Sequence, residues 1–244
     1  MIHYDEYGNR ENPTLLMLHG AGAVHTFAHQ YSFQDKYHLI VPHLFGNGLE
    51  TDQPYEPEAV VSALVELIES LGEEKIHIMG HSMGGELAVA LVAKYPDYFD
   101  KAVFMSPWVC STEKSVANYV KMAKFSAFTL KFRFLLKWQA KYWHYNEEQT
   151  EFLVTYGPKI TKENYIAFFA NRVKLNDLEG YPDVKIPMLA ICGNNETLEM
   201  KISIEELGKR NPMCKTMILP GVTHDFPLRN PDDINPILLE FFGG

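Results

Sequence analysis

Short, unbroken apolar runs alternate with amphipathic stretches along most of the chain. Residues 1–9 read as an edge strand that closes in a turn at Gly8-Asn9. After the polar Arg10–Pro13, the run Thr14-Leu15-Leu16-Met17-Leu18 carries no alternation, as expected of a strand buried on both faces. A helix is expected over about His25 to Lys36, then a strand in Tyr37–His43 and a turn-rich loop at Leu44–Gly48. Pro57 opens an amphipathic helix running to Leu71, with Val60, Val61, Leu64, Val65, Leu67 and Ile68 on its inner side and Gly72 as its stop. Lys75–Met79 reads as a buried strand, Glu86–Tyr95 as a helix halted by Pro96, and Lys101–Met105 as a strand stopped by Ser106-Pro107. The rhythm resumes with a strand at Ile186–Cys192, a helix over about Leu198 to Lys209, a strand at Met213–Leu219 and a terminal helix from Pro231. Parallel strands need crossover helices, so this alternation predicts an α/β fold with a doubly wound, mostly parallel sheet. Neither an internal repeat nor a low-complexity linker is present.

Residues 107–183 break the rhythm. They hold no convincing strand, yet contain Trp108, Trp138, Trp143 and about half of the aromatic residues. A stretch this long is not a loop in a compact domain. It is expected to be a helical cap inserted into a core formed by residues 1–106 and 184–244, above the strand ends where open α/β sheets bind ligands. Met122, Phe125, Phe128, Phe132, Leu135 and Leu136 recur at helical spacing as one apolar stripe, and Arg133, Lys137 and Lys141 step by four along another face. The plain expectation is a lid helix with an apolar inner face and a solvated basic one. In a functional version the aromatic face, with Trp108, Phe128 and Phe132, lines an acyl pocket, while the basic face recruits an anionic substrate or makes weak contact with a lipid surface.

Charge sharpens that picture. Between Lys114 and Asn146 there are seven basic residues and no acidic one. Over 107–182, eleven Lys or Arg stand against seven Asp or Glu, a net +4; the chain totals −9, which leaves −13 elsewhere. That balance argues against nucleic acid as a partner. At 244 residues, 46% apolar and 22% charged, the chain suits one domain with a full core. Cys110, Cys192 and Cys214 are odd in number and in no ligand spacing, so reduced thiols and a cytoplasmic location are expected. No apolar run reaches membrane-spanning length, and Met1–Arg10 lacks the character of a signal peptide.

The chemistry gathers at Gly80-His81-Ser82-Met83-Gly84-Gly85, between a predicted strand and a predicted helix. Gly-x-Ser-x-Gly in that context is a nucleophile elbow: the turn lifts the Ser82 hydroxyl clear of the sheet and leaves the Met83 N–H free at a helix N-terminus. A serine needs a base, and the base an orienting acid. Among ten histidines, His224 follows a predicted strand in the loop Gly221–Pro227. His77 lies within the elbow strand and His81 in its turn; His25 and His29 have the spacing of a metal pair but no third ligand nearby. For the acid, Gly193-Asn194-Asn195-Glu196 follows a strand, so Glu196 is the choice, with Glu199 the alternative. Gly20-Ala21-Gly22 could supply a second oxyanion donor, the Ala21 N–H, facing that of Met83. A dinucleotide loop is set aside because its third glycine position is His25 and no acidic residue ends the next strand.

Taken together, His19–Gly22, the Ser82 elbow, Gly193–Glu196 and Gly221–His224 make the chain resemble the α/β-hydrolase superfamily over nearly its whole length. The serine elbow is similar to that of esterases and acyl lipases rather than that of dehalogenases or epoxide hydrolases, whose nucleophile is aspartate. The resemblance implies a Ser82-His224-Glu196 triad cleaving a small carboxylic ester or thioester through an acyl-enzyme, with no cofactor and no metal. Two positions depart from the pattern: glutamate stands at Glu196 where the family usually has aspartate, and Pro42-His43 where it often has Pro-Asp. The resemblance also covers carbon–carbon bond hydrolases, a lyase-type synthase acting on anionic substrates, and non-catalytic ligand-binding proteins.

Overall fold

A computed structural model describes residues 1–243. The apolar runs form seven strands: β1 Tyr4–Tyr7, β2 Thr14–Leu18, β3 His38–Pro42, β4 Ile76–His81, β5 Phe99–Met105, β6 Met188–Gly193 and β7 Cys214–Leu219. They make one sheet in the order β1-β3-β2-β4-β5-β6-β7, parallel except for β1, which runs antiparallel to β3. From β2 the chain winds outward to β3, returns to β4, and then winds the other way through β5, β6 and β7. The winding therefore reverses between β2 and β4, and the crevice beyond their carboxyl ends is where such sheets hold ligands.

Alternate residues of each buried strand feed two cores. Leu16, Leu18, Ile40, Ile78 and Phe104 face one side, packed by helices α1 Pro57–Leu71, α2 Met83–Lys94 and α7 Leu198–Arg210. Leu15, Met17, Leu39, Met79 and Val103 face the other, where Phe226, Ile234, Leu238 and Phe242 cover them from α8 Phe226–Arg229 and α9 Pro231–Gly243. Helix α2 is buried on every side from Met83 to Ala93, which explains why its sequence is apolar all round apart from Glu86. β1 and β7 are the edge strands, and on β7 Lys215, Thr216 and Ile218 are exposed.

The segment His25–Lys36 is not the expected helix. It is a run of tight turns ending in a 3₁₀ turn at Tyr31–Asp35, with bonds from Ala28 N–H to His25 O, Gln30 to Phe27 and Phe33 to Gln30. Its His, Thr, Phe, Tyr and Ser residues have modest helix propensity. Tertiary partners also compete for them, as Gln30 donates to Asn235 and Pro227, and Phe27 is fully buried.

Between β5 and β6 the chain is helical: α3 Glu113–Ser126, α4 Arg133–Tyr142, α5 Glu147–Tyr156 and α6 Lys162–Ala170. Thr112 with Ser115, and Asn146 with Gln149, close capping boxes at the starts of α3 and α5. The apolar stripe read from Met122 to Leu136 is not one helix, because a 3₁₀ turn at Ala127–Lys131 separates α3 from α4. The inward positions go to Ala123, Ala127, Leu136 and Ala140, all at most 6% exposed, and the aromatic rings are left outside.

Candidate functional site

The six parallel strands deliver six loops to one edge of the sheet. β4 ends at His81, and Ser82 turns the chain into α2 with φ 55° and ψ −120°, a conformation that costs a non-glycine residue about 1–3 kcal/mol. Two glycines make the turn possible. A Cβ on Gly80 would strike the Gly84 carbonyl, and one on Gly84 would strike the carbonyl of Leu18 in β2. Beside it, a Cβ built on Gly20 would lie 3.6 Å from the Ser82 Cβ, so the loop after β2 packs directly on the serine. Neither the Ala21 nor the Met83 N–H finds an acceptor among the described residues.

Glu196 follows β6 and reaches His224 after β7. Its Oε2 lies 2.6 Å from His224 Nδ1, and its Oε1 accepts from the Gly193 N–H at 2.7 Å and the Ser106 hydroxyl at 2.6 Å. The Glu196 side chain is 2% exposed, whereas that of His224 is 43% exposed. Burial alone would raise the Glu196 pKa, but the His224 hydrogen bond and charge, the Ser106 hydroxyl and the Gly193 N–H together hold it below the usual carboxylate range. The alternative acid, Glu199, lies elsewhere: it accepts from Trp108 Nε1 at 2.9 Å and Thr112 Oγ1 at 2.9 Å, and so ties α7 to the helical insertion.

Ser82 and His224 line the same two cavities, of about 370 and 180 Å³, without a hydrogen bond between them. Bonds of this kind are often long in a ligand-free site and tighten only around substrate. The larger cavity is walled by Trp108, Tyr119, Phe169 and Arg172. Tyr119 lies edge-on to Trp108, with ring centroids 4.7 Å apart, and stacks on Phe169 at 6.1 Å. Phe128 and Phe132, expected beside Trp108 in this pocket, are not there. They are 56% and 42% exposed, because the 3₁₀ turn between α3 and α4 rotates them outward.

The roles of several residues of the site were not legible in the sequence. Ser106, at φ 48° after β5, read only as a strand stop. His81 Nε2 donates to the His224 carbonyl at 2.7 Å and so holds the backbone of that loop; burial lowers its pKa to about 3, keeping it neutral. Buried His19 bonds the Gly20 carbonyl through Nδ1 at 2.7 Å and accepts the Leu44 N–H through Nε2 at 3.1 Å; its pKa is likewise pushed down by burial to about 3. Asn47 accepts the Gly22 N–H at 2.8 Å. At the position of the expected Pro-Asp, His43 Nδ1 accepts the Leu49 N–H at 3.1 Å, while Nε2 lies 3.2 Å from Asp5. The imidazole therefore supplies the acceptor that a carboxylate would have offered.

Arg172 is the cation of the larger cavity. Its side chain is 6% exposed, its Cζ lies 4.4 Å from the centroid of Trp108, and it is paired with Glu86 from the first turn of α2. Burial lowers its pKa to about 10, which leaves it charged at neutral pH. His25 and His29 bond to different partners, Tyr31 and the Trp143 carbonyl. No helix among the described residues is long and apolar enough to cross a membrane.

Comparison with known proteins supplies the family. A family model described as alpha/beta hydrolase fold matches residues 13–146, more than half of the chain. Lipase 1 of Psychrobacter immobilis is 26% identical over 91% of this chain and 74% of its own length. The putative carbamate hydrolase RutD of Caulobacter sp. (strain K31) is 22% identical over 100% of this chain and 96% of its own. Among solved structures, a carboxylesterase of the thaumarchaeon Nitrososphaera gargenis superimposes with a TM-score of 0.80 at 19% identity, covering 99% of this chain and 93% of that one. The enol-lactonase of Burkholderia xenovorans LB400 does so at 0.80 and 19%, covering 100% and 96%. At such identities the structural likeness is one of fold. On the family match, the chain belongs to the α/β-hydrolase fold family.

Proposed function

We propose that the protein is a serine hydrolase that cleaves a small carboxylic ester or thioester through an acyl-enzyme. The observation that carries this reading is the 2.6 Å contact of His224 Nδ1 with buried Glu196, beside a serine that shares both of its cavities. Ser82 Oγ attacks the carbonyl carbon while His224 Nε2 takes its proton. The N–H groups of Ala21 and Met83 hold the oxyanion, and His224 returns the proton to the leaving alcohol or thiol. Water, deprotonated by the same imidazole, then releases the acid. Glu196 fixes the imidazole tautomer and balances its charge.

The walls favour a compact, uncharged acyl group. Trp108, Tyr119 and Phe169 are apolar surfaces, and the charge of Arg172 is already answered by Glu86. An anionic substrate, as carbon–carbon bond hydrolases or a synthase would need, would have to compete with that carboxylate.

A fluorophosphonate probe together with a panel of activated esters tests the proposal. Wild-type protein should label at Ser82, and Ser82→Ala should lose about 10⁶ in kcat, as nucleophile loss does in a well-studied serine hydrolase. Glu196→Gln should lose about 10⁴, as the corresponding change does in a serine protease, while Glu199→Gln keeps most turnover. Absence of labelling would favour a non-catalytic ligand-binding protein. Loss of turnover in Glu199→Gln alone would show that the acid is misassigned.

A further inference from the structure

Half of the large apolar side chains exposed among the described residues fall within residues 122–142. Phe125, Phe128, Phe132 and Phe134 are 81%, 56%, 42% and 67% exposed, and their rings touch in succession at centroid distances of 6.4, 5.9 and 5.9 Å. On α4 the row continues at four-residue steps: Phe134, then Trp138 (67% exposed) and Tyr142 (43%), the last two stacked at 5.9 Å. A second row, Arg133, Lys137 and Lys141, runs beside it, and all seven basic side chains between Lys114 and Asn146 are exposed. An exposed apolar patch of this extent on a single chain marks an interaction surface.

We propose that this face of α3 and α4 docks the protein onto an anionic lipid surface. An aromatic row flanked by a Lys/Arg row is the composition of a helix lying flat in a membrane interface: rings enter the headgroup–acyl boundary and cations meet lipid phosphates. A second copy of the chain is a poor occupant, because an isologous contact would bring seven cations against seven, with Glu151 beside Arg133 as the one carboxylate paired to the basic row. The charge is local. Residues 107–182 carry +4 against −13 for the rest, so only this face is drawn to an anionic surface, and the remainder is repelled from it. The same helix α3 carries Tyr119 in the wall of the larger cavity, which sets that cavity close behind the docked face. The inference rests on exposure and charge and stands apart from the proposed hydrolysis, since its test reads binding.

The test is cosedimentation of the full chain with vesicles of phosphatidylcholine alone and of equal parts phosphatidylcholine and phosphatidylglycerol. Binding is expected on the anionic vesicles, weakening as salt rises. Lys137→Gln with Lys141→Gln should lower partitioning about 25-fold, at about fivefold for each charge. Phe125→Ser with Phe134→Ser should abolish binding and leave turnover of a soluble substrate and the melting temperature intact. Lipids brominated in their acyl chains should quench the fluorescence of the bound protein, and Trp138→Phe should remove most of that quenching. Equal binding to neutral and anionic vesicles, or no binding to either, would overturn the proposal. So would insensitivity to the Phe substitutions together with full competition by polyglutamate, which would identify an acidic polypeptide as the occupant. Sedimentation velocity showing a wild-type dimer that the Phe substitutions dissociate, without vesicle binding, would assign the face to self-association instead.

Discussion

The Glu196 carboxylate has each oxygen committed. Oε2 meets the imidazole, and Oε1 takes two donors, one from the backbone of its own loop and one from Ser106 on the neighbouring strand. Ser106→Ala removes one donor from a buried carboxylate, an interaction worth about 1.5–3 kcal/mol. The variant should melt lower, and kcat should fall about tenfold with KM little changed; equal kcat in variant and wild type would mean that Ser106 does not position the acid. Ser82, His224 and Glu196 could be picked out because each is a chemically distinctive residue after an apolar run. Ser106 and Asn47 could not, since a serine after a strand or an asparagine in a turn has many ordinary explanations, and His19 stood out only as part of the His19–Gly22 loop. Their partners, Glu196, Gly22, and Gly20 with Leu44, lie 90, 25, and up to 25 residues away.

At the level of elements, the turn from β4 into α2 is the most constrained piece of backbone. Gly84→Ala would drive a methyl group into the Leu18 carbonyl, and no flexible side chain is there to yield. Thermal melting should show a loss of about 3 kcal/mol or more, toward the upper end for overpacked sites. A Gly84→Ala protein with wild-type stability would mean that α2 can shift along β2. By contrast Gly72, at φ 71°, meets nothing within 4 Å, so its glycine is there for the left-handed helix end alone. The strands were legible because burial on both faces leaves unbroken apolar runs, and α1 because its stripe is regular. His25–Lys36 was not, because its buried Phe27, Gln30 and Tyr31 mimic a helical period while tertiary bonds to Asn235 and Pro227 hold the chain in turns. The aromatic residues of α3 and α4 misled in the opposite way. Spacing shows that rings share a face, but not which face the small residues Ala123, Ala127 and Ala140 will claim for the interior.

For the whole molecule, buried imidazoles weaken the fold towards acid, His77 among them because burial lowers its pKa too. Burial pushes His19 and His81 down to about 3 and His25 to about 4, from an ordinary 6.5. Unfolded, each takes a proton as pH falls through about 6.5; folded, each refuses it until pH 3–4. In that window the unfolded state binds up to three more protons at these rings, and more at His77, so stability is full above pH 6.5 and declines as pH falls towards 4. The slope should approach about 1.4 kcal/mol per pH unit for each histidine. Melting temperatures measured between pH 7.5 and 5 should therefore drop steadily, and a flat profile would mean that these rings are solvated in the native state. The doubly wound topology followed from strand–helix alternation. Which loops meet at the sheet edge followed from parallelism, since each of the strands β2 to β7 then ends on the same side.

The pairing of Arg172 with Glu86 bears on how the site can open. Glu86 belongs to the helix that follows Ser82, and Arg172 lies just after α6, the last helix of the inserted segment; the Val173 N–H adds a bond to Glu86 Oε2 at 3.4 Å. Separating two buried charges, each at most 6% exposed, leaves both stranded, and breaking such a pair typically costs about 3–5 kcal/mol. The base of the insertion is thus pinned to the elbow helix, and α3 is held beside it by the stack of Tyr119 on Phe169, which leaves α4, with most of its side chains exposed, as the least anchored helix. Amide exchange should accordingly be slow at Arg172 and Val173 and fast in α4; fast exchange at both would mean that the insertion detaches as a unit.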